Sequence, residues 1–190
     1  SDIMSKEYFY SKVSKEENLR MAEVQESFID EDNVLIFPGG APFNVASNIA
    51  SFKGDVFFLG TVGNDVYGTF LKEYVKNKKL KNFKIVKNKY RDTTIAEVKL
   101  HDGERSFHFL RDNGADYIFS FSLIKKIDLN RNDIIHLGSL MLSTNRGRKT
   151  FFKIVELAKS KNIKISFDVN YRDDIFPSPS SAKRIFKKAI

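Results

Sequence analysis

Apolar positions along the chain change their spacing several times, and each change marks an element. The first twenty residues, "SDIMSKEYFYSKVSKEENLR", are polar and carry little periodicity. They read as a loose or weakly helical extension over residues 1–21, ahead of one domain over 22–190. In "AEVQESFID" (Ala22 to Asp30), Val24, Phe28 and Ile29 suggest a short strand, and "NVLIF" (Asn33 to Phe37) a second. Two glycines follow. Then Val45, Ala46, Ile49, Ala50 and Phe52 recur at helical spacing, with Gly54 placed to cap the helix end. "DVFFLGTVG" (Asp55 to Gly63) is apolar enough for a buried strand. "DVYGTFLKEYVKNK" (Asp65 to Lys78) returns to helical spacing through Phe70, Leu71, Tyr74 and Val75.

Between Thr93 and Asp112 the period shortens to two. Thr93, Ile95, Glu97 and Lys99 alternate with Thr94, Ala96, Val98 and Leu100, "HDGE" supplies a turn, and Phe107 and Phe109 alternate with Ser106 and His108. This predicts a β-hairpin with a polar face. "NDIIHLGSL" (Asn132 to Leu140) predicts a strand. "GRKTFFKIVELAKSKN" (Gly147 to Asn162) predicts a helix on Phe151, Val155 and Ala158, and "IKISFDVN" (Ile163 to Asn170) another strand. A last helix opens at "SPSSAKRIFKKAI", capped by Ser178 or Ser180. Strands and helices thus alternate around one hairpin. That order predicts an α/β fold with a mostly parallel sheet flanked by helices.

Composition narrows the function classes. The chain has 190 residues, 42% hydrophobic and 29% charged, as an ordinary globular domain does. No apolar run approaches the roughly 20 residues of a membrane helix, so no membrane partner is expected. Cysteine is absent, which excludes disulfides and thiolate metal sites and fits a cytoplasmic location. The formal net charge is +8. Much of the lysine falls in Lys76 to Lys89 and Ala158 to Lys164, read as solvated loop and helix-end charge, so no nucleic-acid partner is expected. His101, His108 and His136 do not cluster, and no metal-ligand spacing occurs.

The segment "FPGGAPFNVASNIA" (Phe37 to Ala50) carries candidate chemistry. Glycine lets backbone amides approach a ligand without a Cβ in the way. A helix start adds unsatisfied N–H groups and partial positive charge. Asn44 offers both a donor and an acceptor. The set suits a polyhydroxyl or anionic ligand, although the glycines alone are better explained by a plain turn. Two phosphate motifs are excluded. "GNDVYGT" has the glycine spacing of a P-loop but Thr69 in place of its lysine, and "GGAPFN" lacks the third glycine of a dinucleotide fingerprint.

Four segments in order change the balance. "PGGAPFNVASNIA" with "FFLGTVGNDVYG", then "TTIAEVKLHDGERSFHFLRDNGAD" (Thr93 to Asp116), "DIIHLGSL" (Asp133 to Leu140) and "SFDVNYRDDIFPS" (Ser166 to Ser178), together resemble the ribokinase-like (PfkB) carbohydrate kinases. The "GGAP" form is similar to fructokinases. The resemblance implies a three-layer ribokinase-like fold with a small β lid, the hairpin at about 93–112. It implies a sugar substrate, most simply D-fructose, phosphorylated by ATP with Mg²⁺. It also implies site residues. Asp30 matches an aspartate that binds sugar hydroxyls, a sensible role for a carboxylate. Gly39, Gly40 and Asn44 match the sugar-contacting turn and helix start, and Arg111 an arginine reaching the sugar from the lid. Asp168, Asn170 and Arg172 follow a strand end, where open α/β sheets place ligands. Asn170 resembles a residue near the nucleotide phosphates, and Arg172 a nucleotide-side, sugar or structural contact.

The chain also departs from that pattern. The "GAGD" motif that supplies the family's anion hole and general base does not occur before Ile190. Gln25 stands where a glycine is expected, Lys53 replaces a small residue, and only seven residues separate Asp30 from Pro38. The resemblance therefore implies the N-terminal part of such an enzyme, with the C-terminal catalytic and ATP-binding part missing and no turnover alone. The alternative is a non-catalytic binding or scaffold module that pairs with a second copy or a complementary chain.

Overall fold

The computed structural model describes residues 6–9, 28–29, 35–78, 80–101 and 104–190. They fall into two compact units, Ile3–Ala115 and Asp116–Ile190. In the first, strands β1 (Lys6–Phe9), β2 (Phe28–Ile29) and β3 (Leu35–Pro38) precede helix α1 (Ala41–Ser51). Strand β4 (Phe57–Gly63), helix α2 (Val66–Asn77) and strand β5 (Asn82–Asn88) follow, then the hairpin β6 (Ile95–His101) and β7 (Glu104–Leu110).

Five of these strands share a sheet in the order β2-β3-β1-β6-β7. Strand β1 runs antiparallel to β3 and parallel to β6, while β2–β3 and β6–β7 are antiparallel. The central place of β1 corrects, at residues 6–9, the expectation of a loose or weakly helical N-terminal extension; the rest of residues 1–21 lies outside the described residues. Four residues are too few to show a period, and their pairing comes from sequence-distant strands. Strands β4 and β5 form a separate parallel pair, Phe57 opposite Asn82 through Gly63 opposite Asn88, with α2 as the crossover. Strand β5 lies inside the lysine-rich stretch read as solvated loop. Ile85 is buried while Lys84 faces solvent, and Lys87, on the same face as Ile85, breaks the apolar alternation.

Helix α1 buries Pro42, Phe43 and Ala46. Ile49 is 40% exposed and Phe52 86%, so the apolar stripe expected through them is corrected toward the helix start. Phe43 sets the contact. Its ring packs edge-on against Phe58 at 5.4 Å and Tyr74 at 6.0 Å, and burying such a ring contributes about 1.5–3 kcal/mol. The helix ends in a Schellman turn. Gly54 N–H donates to Ile49 C=O at 2.9 Å and Lys53 N–H to Ala50 C=O at 3.0 Å. The left-handed position belongs to Lys53, φ 61°, not to Gly54. Gly54 serves another need, since a Cβ there would press on Ile49 Cγ2.

The second unit contains helix α3 (Phe121–Ile124), strand β8 (Ile134–Gly138), a 3₁₀ turn (Ser139–Ser143), helix α4 (Asn145–Ser160), strand β9 (Lys164–Asp168) and helix α5 (Pro179–Ala189). Strands β8 and β9 pair in parallel, His136 opposite Ser166 and Gly138 opposite Asp168, with α4 as the crossover. Phenylalanines join the layers. Phe151 of α4 meets Phe167 of β9 at 5.4 Å, Phe167 meets Phe186 of α5 at 6.4 Å, and Phe186 meets Phe176 at 5.2 Å. Thr144 caps α4 by accepting from Gly147 N–H, and Ser178 caps α5 by accepting from Ser181 N–H. Ser178 is therefore the cap among the two serines expected. Helix α4 ends in a second Schellman turn, Ile163 N–H donating to Ala158 C=O at 2.8 Å, with Asn162 left-handed at φ 55°.

Asn tolerates that conformation better than Lys does. Lys53→Gly is expected to raise stability by about 0.5–1 kcal/mol, read from urea unfolding, because glycine removes the Cβ strain at the left-handed position. No gain would mean the turn is unstrained.

Candidate functional site

Strand β3 runs straight into the glycine turn. Gly39 is buried, and Gly40 has φ 113° and ψ 118°, a conformation that L side chains rarely adopt. Gly40 occupies the N-cap of α1 and brings no side chain to the helix's first amides. Helices α2, α4 and α5 each have a side-chain cap from Asp65, Thr144 or Ser178. Pro42 has no amide to satisfy. Asn44 N–H closes the first turn on Gly40 C=O at 2.9 Å, and its side chain is exposed. The start of α1 therefore presents backbone donors and partial positive charge beside an exposed amide.

Sheet register relates this turn to Arg111. Pro38 lies opposite Lys6, Lys6 opposite Ile95, and Ile95 opposite Leu110. One line across the sheet thus joins the last residue of β3 to the last residue of β7. The strand directions make both chains leave by the same end of the sheet. Gly39–Gly40 and Arg111 follow directly, three strand spacings or about 14 Å apart.

A compact set of hydrogen bonds holds the foot of the hairpin. Asp92 N–H donates to Asn113 C=O at 3.0 Å, and Ala115 N–H to Asp92 C=O at 2.8 Å. Asn113 Nδ2 donates to Asp92 Oδ2 at 2.9 Å, and Arg91 Nη1 to Asn113 Oδ1 at 3.1 Å. Gly114 N–H closes a turn on Arg111 C=O at 3.0 Å. Arg111 is therefore the first residue of a tight turn whose third, Asn113, is bonded to the segment leading into β6.

A second joint ties that leading segment, through Thr93, to β4 and α2. Asp65 caps α2, its Oδ1 accepting from Gly68 N–H at 2.6 Å. The same carboxylate accepts from Thr93 Oγ1 at 2.7 Å and Thr93 N–H at 2.7 Å. The Thr93 hydroxyl in turn accepts from Gly63 N–H at 3.0 Å. A Cβ on Gly63 would overlap Asp65 Oδ2 and Thr93 N, and one on Gly68 would overlap Gly63 C=O. The glycine spacing of "GNDVYGT" thus serves a crowded structural joint.

Asp30 lies outside the described residues. Asn170 and Arg172 follow β9 in the second unit. Asn170 N–H donates to Asp168 Oδ1 at 3.1 Å, and its C=O accepts from Ser139 Oγ at 3.4 Å. At the starts of α4 and α5 one N–H each is taken up by a side-chain cap, from Thr144 and Ser178. Among the described residues no group of three or more His, Asp or Glu could hold a metal ion, and no helix is long and apolar enough to cross a membrane. His136 Nδ1 is 3.0 Å from Ser166 Oγ across the β8–β9 pair, a bond within the sheet. Sequence reasoning missed Asp65, Thr93, Asp92 and Asn113. Only the Asp directly before a helical run, a preferred N-cap residue, pointed to any of them.

The model of the pfkB family carbohydrate kinases matches residues 13–189, and the chain belongs to that family. A fructokinase of Vibrio alginolyticus is 32% identical over 161 residues, covering 84% of this chain and 52% of that protein. The solved structure of a Xylella fastidiosa fructokinase with bound ATP superposes with a TM-score of 0.76 at 25% identity, covering 100% of this chain and 52% of that one. The fructose-, ADP- and calcium-bound fructokinase of Vibrio cholerae O395 gives a TM-score of 0.78 at 24% identity, covering 99% and 55%. The fold is ribokinase-like, and the chain spans about half the length of the curated relatives it matches.

Thr93→Val is expected to cost about 2–3 kcal/mol, because it leaves Gly63 N–H without its acceptor and removes a hydroxyl donor from a carboxylate. Asn113→Ala, at an exposed position, should cost about 1 kcal/mol. Urea unfolding monitored by circular dichroism reads both. Equal losses would contradict the ranking of the two joints.

Proposed function

We propose that this chain carries the sugar-holding part of a fructokinase-type kinase, which phosphorylates D-fructose or a related sugar with ATP and Mg²⁺. The observation that carries the reading is the glycine turn. It opens α1 without a capping side chain, at the sheet end from which Arg111 also departs. A sugar presents hydroxyls that both donate and accept. Backbone N–H groups at the start of α1 and the Arg111 guanidinium donate, Asn44 does both, and the Asp30 carboxylate accepts two hydroxyl protons. Such a set grips a polyol without needing a charge on it.

ATP, when bound, supplies the phosphoryl group. Asn170 and Arg172 are assigned to the nucleotide side. The 190 residues contain no Gly-Ala-Gly-Asp run, so the proposal gives them sugar capture and not transfer, which depends on a preorganised anion site. Alone they bind sugar without turnover.

Titration calorimetry of D-fructose into the 190-residue chain, with glucose and ribose as controls, tests the reading. Saturable heat for fructose above both controls is expected. Asn44→Ala and Arg111→Ala should each weaken it about tenfold, the worth of a hydrogen bond to an uncharged or charged partner. No saturable heat with any sugar, or equal heats with all three, would overturn it.

A further inference from the structure

The chain's net charge has a single address. Helix α4 carries five Lys or Arg and α5 four, against one carboxylate, Glu156. Their sum is +8, equal to the formal charge of the whole chain, so everything outside these two helices balances. The expectation that the excess is spread through Lys76 to Lys89 and Ala158 to Lys164 is corrected accordingly.

The two helices also form a groove of about 400 Å³. Helix α5 lines it with Ser181, Arg184, Ile185 and Lys188, positions i, i+3, i+4 and i+7, which make one continuous stripe. Helix α4 contributes Arg148 and Phe152, one turn apart. Ala182 and Phe186 bury the adjacent stripe of α5, which fixes the groove-facing one. Arg148 is held in place, Nη1 donating to Leu142 C=O at 2.7 Å and Nη2 to Asn145 Oδ1. Arg184 and Lys188 are exposed, while Phe152 and Ile185 are half-buried. The groove therefore has apolar walls and a cationic rim.

We infer that this α4–α5 groove docks an acidic amphipathic helix of a partner protein. Two features select that occupant. Arg184 and Lys188 are one helical turn apart, matching carboxylates one turn apart on a facing helix. Phe152 and Ile185 offer a seat for an apolar side chain between those charges, as in helix-in-groove recognition. A phosphodiester backbone supplies the charge and no such anchor. Cationic rims steer association, and an apolar anchor sets the dissociation rate.

The test is fluorescence anisotropy of a fluorescein-labelled helical peptide carrying glutamates one turn apart beside leucines, titrated with the 190-residue chain. Saturable binding is expected. Arg184→Glu with Lys188→Glu should weaken it at least about tenfold, whereas Lys183→Glu with Lys187→Glu, an equal charge change outside the groove, should weaken it less than about threefold. All four positions are exposed, and thermal melting of each pair checks that the fold is kept. A peptide with serine for leucine, tested on the unmodified chain, should also bind at least about tenfold more weakly. The inference is overturned by absence of saturable binding, by equal loss with both charge pairs, by equal binding of the serine peptide, or by tighter binding of a single-stranded oligonucleotide of the same charge.

Discussion

One carboxylate organises the first unit. Asp65 accepts hydrogen bonds from Gly68 N–H, Thr93 N–H and Thr93 Oγ1. Each donor belongs to a different requirement: the start of α2, the chain entering β6, and a hydroxyl that also receives Gly63 N–H from the end of β4. Hydrogen bonds to an ionised acceptor contribute about 1.5–3 kcal/mol each, and here they converge where backbone crowding tolerates only glycine at 63 and 68. A parallel β-α-β unit is thereby fastened to an antiparallel hairpin.

The hairpin's other foot explains why the fastening reaches a candidate ligand group. Asp92 and Asn113 bond to each other through backbone and side chain, and the turn they close begins at Arg111. Strand register then carries the geometry across the sheet, from Leu110 through Ile95 and Lys6 to Pro38 and the glycine turn. Gly40 and Arg111 are distant in sequence yet held at one sheet end by ladders that a one-residue slip would invert. The second unit relies on apolar packing instead. Its phenylalanine chain from Phe151 to Phe176 joins helix, strand and loop, which frees the outer faces of α4 and α5 to carry charge.

Much of this was legible in the sequence, and the exceptions have physical causes. Helices α2, α4 and α5 announced themselves because one face of each is buried, and strands β4, β8 and β9 because each is a short apolar run. The hairpin did so because its period is two. Strand β1 was not legible, since its place depends on partners Leu35–Pro38 and Ile95–Val98, far along the chain. Strand β5 was hidden because lysines fall on both of its faces, Lys84 outside and Lys87 beside buried Ile85. Helix α1 misled because its burial is set by Phe43 against Phe58 and Tyr74 at its start, while Ile49 and Phe52 lie beyond that contact. The glycine turn was identifiable from glycine chemistry and family resemblance together. The Asp65 and Asn113 joints were not, because they pair residues about twenty to thirty positions apart whose side chains are individually ordinary.

The Asp65 joint governs the hairpin that carries Arg111. Amide hydrogen exchange in Asp65→Asn tests it most directly, because asparagine keeps the size of the side chain and can set a second donor against Thr93 N–H. Protection should fall at Gly68, at Thr93 and through Ile95–Leu110 together, while β8 and β9 keep theirs. Loss confined to the first turn of α2, with the hairpin amides unchanged, would contradict the account.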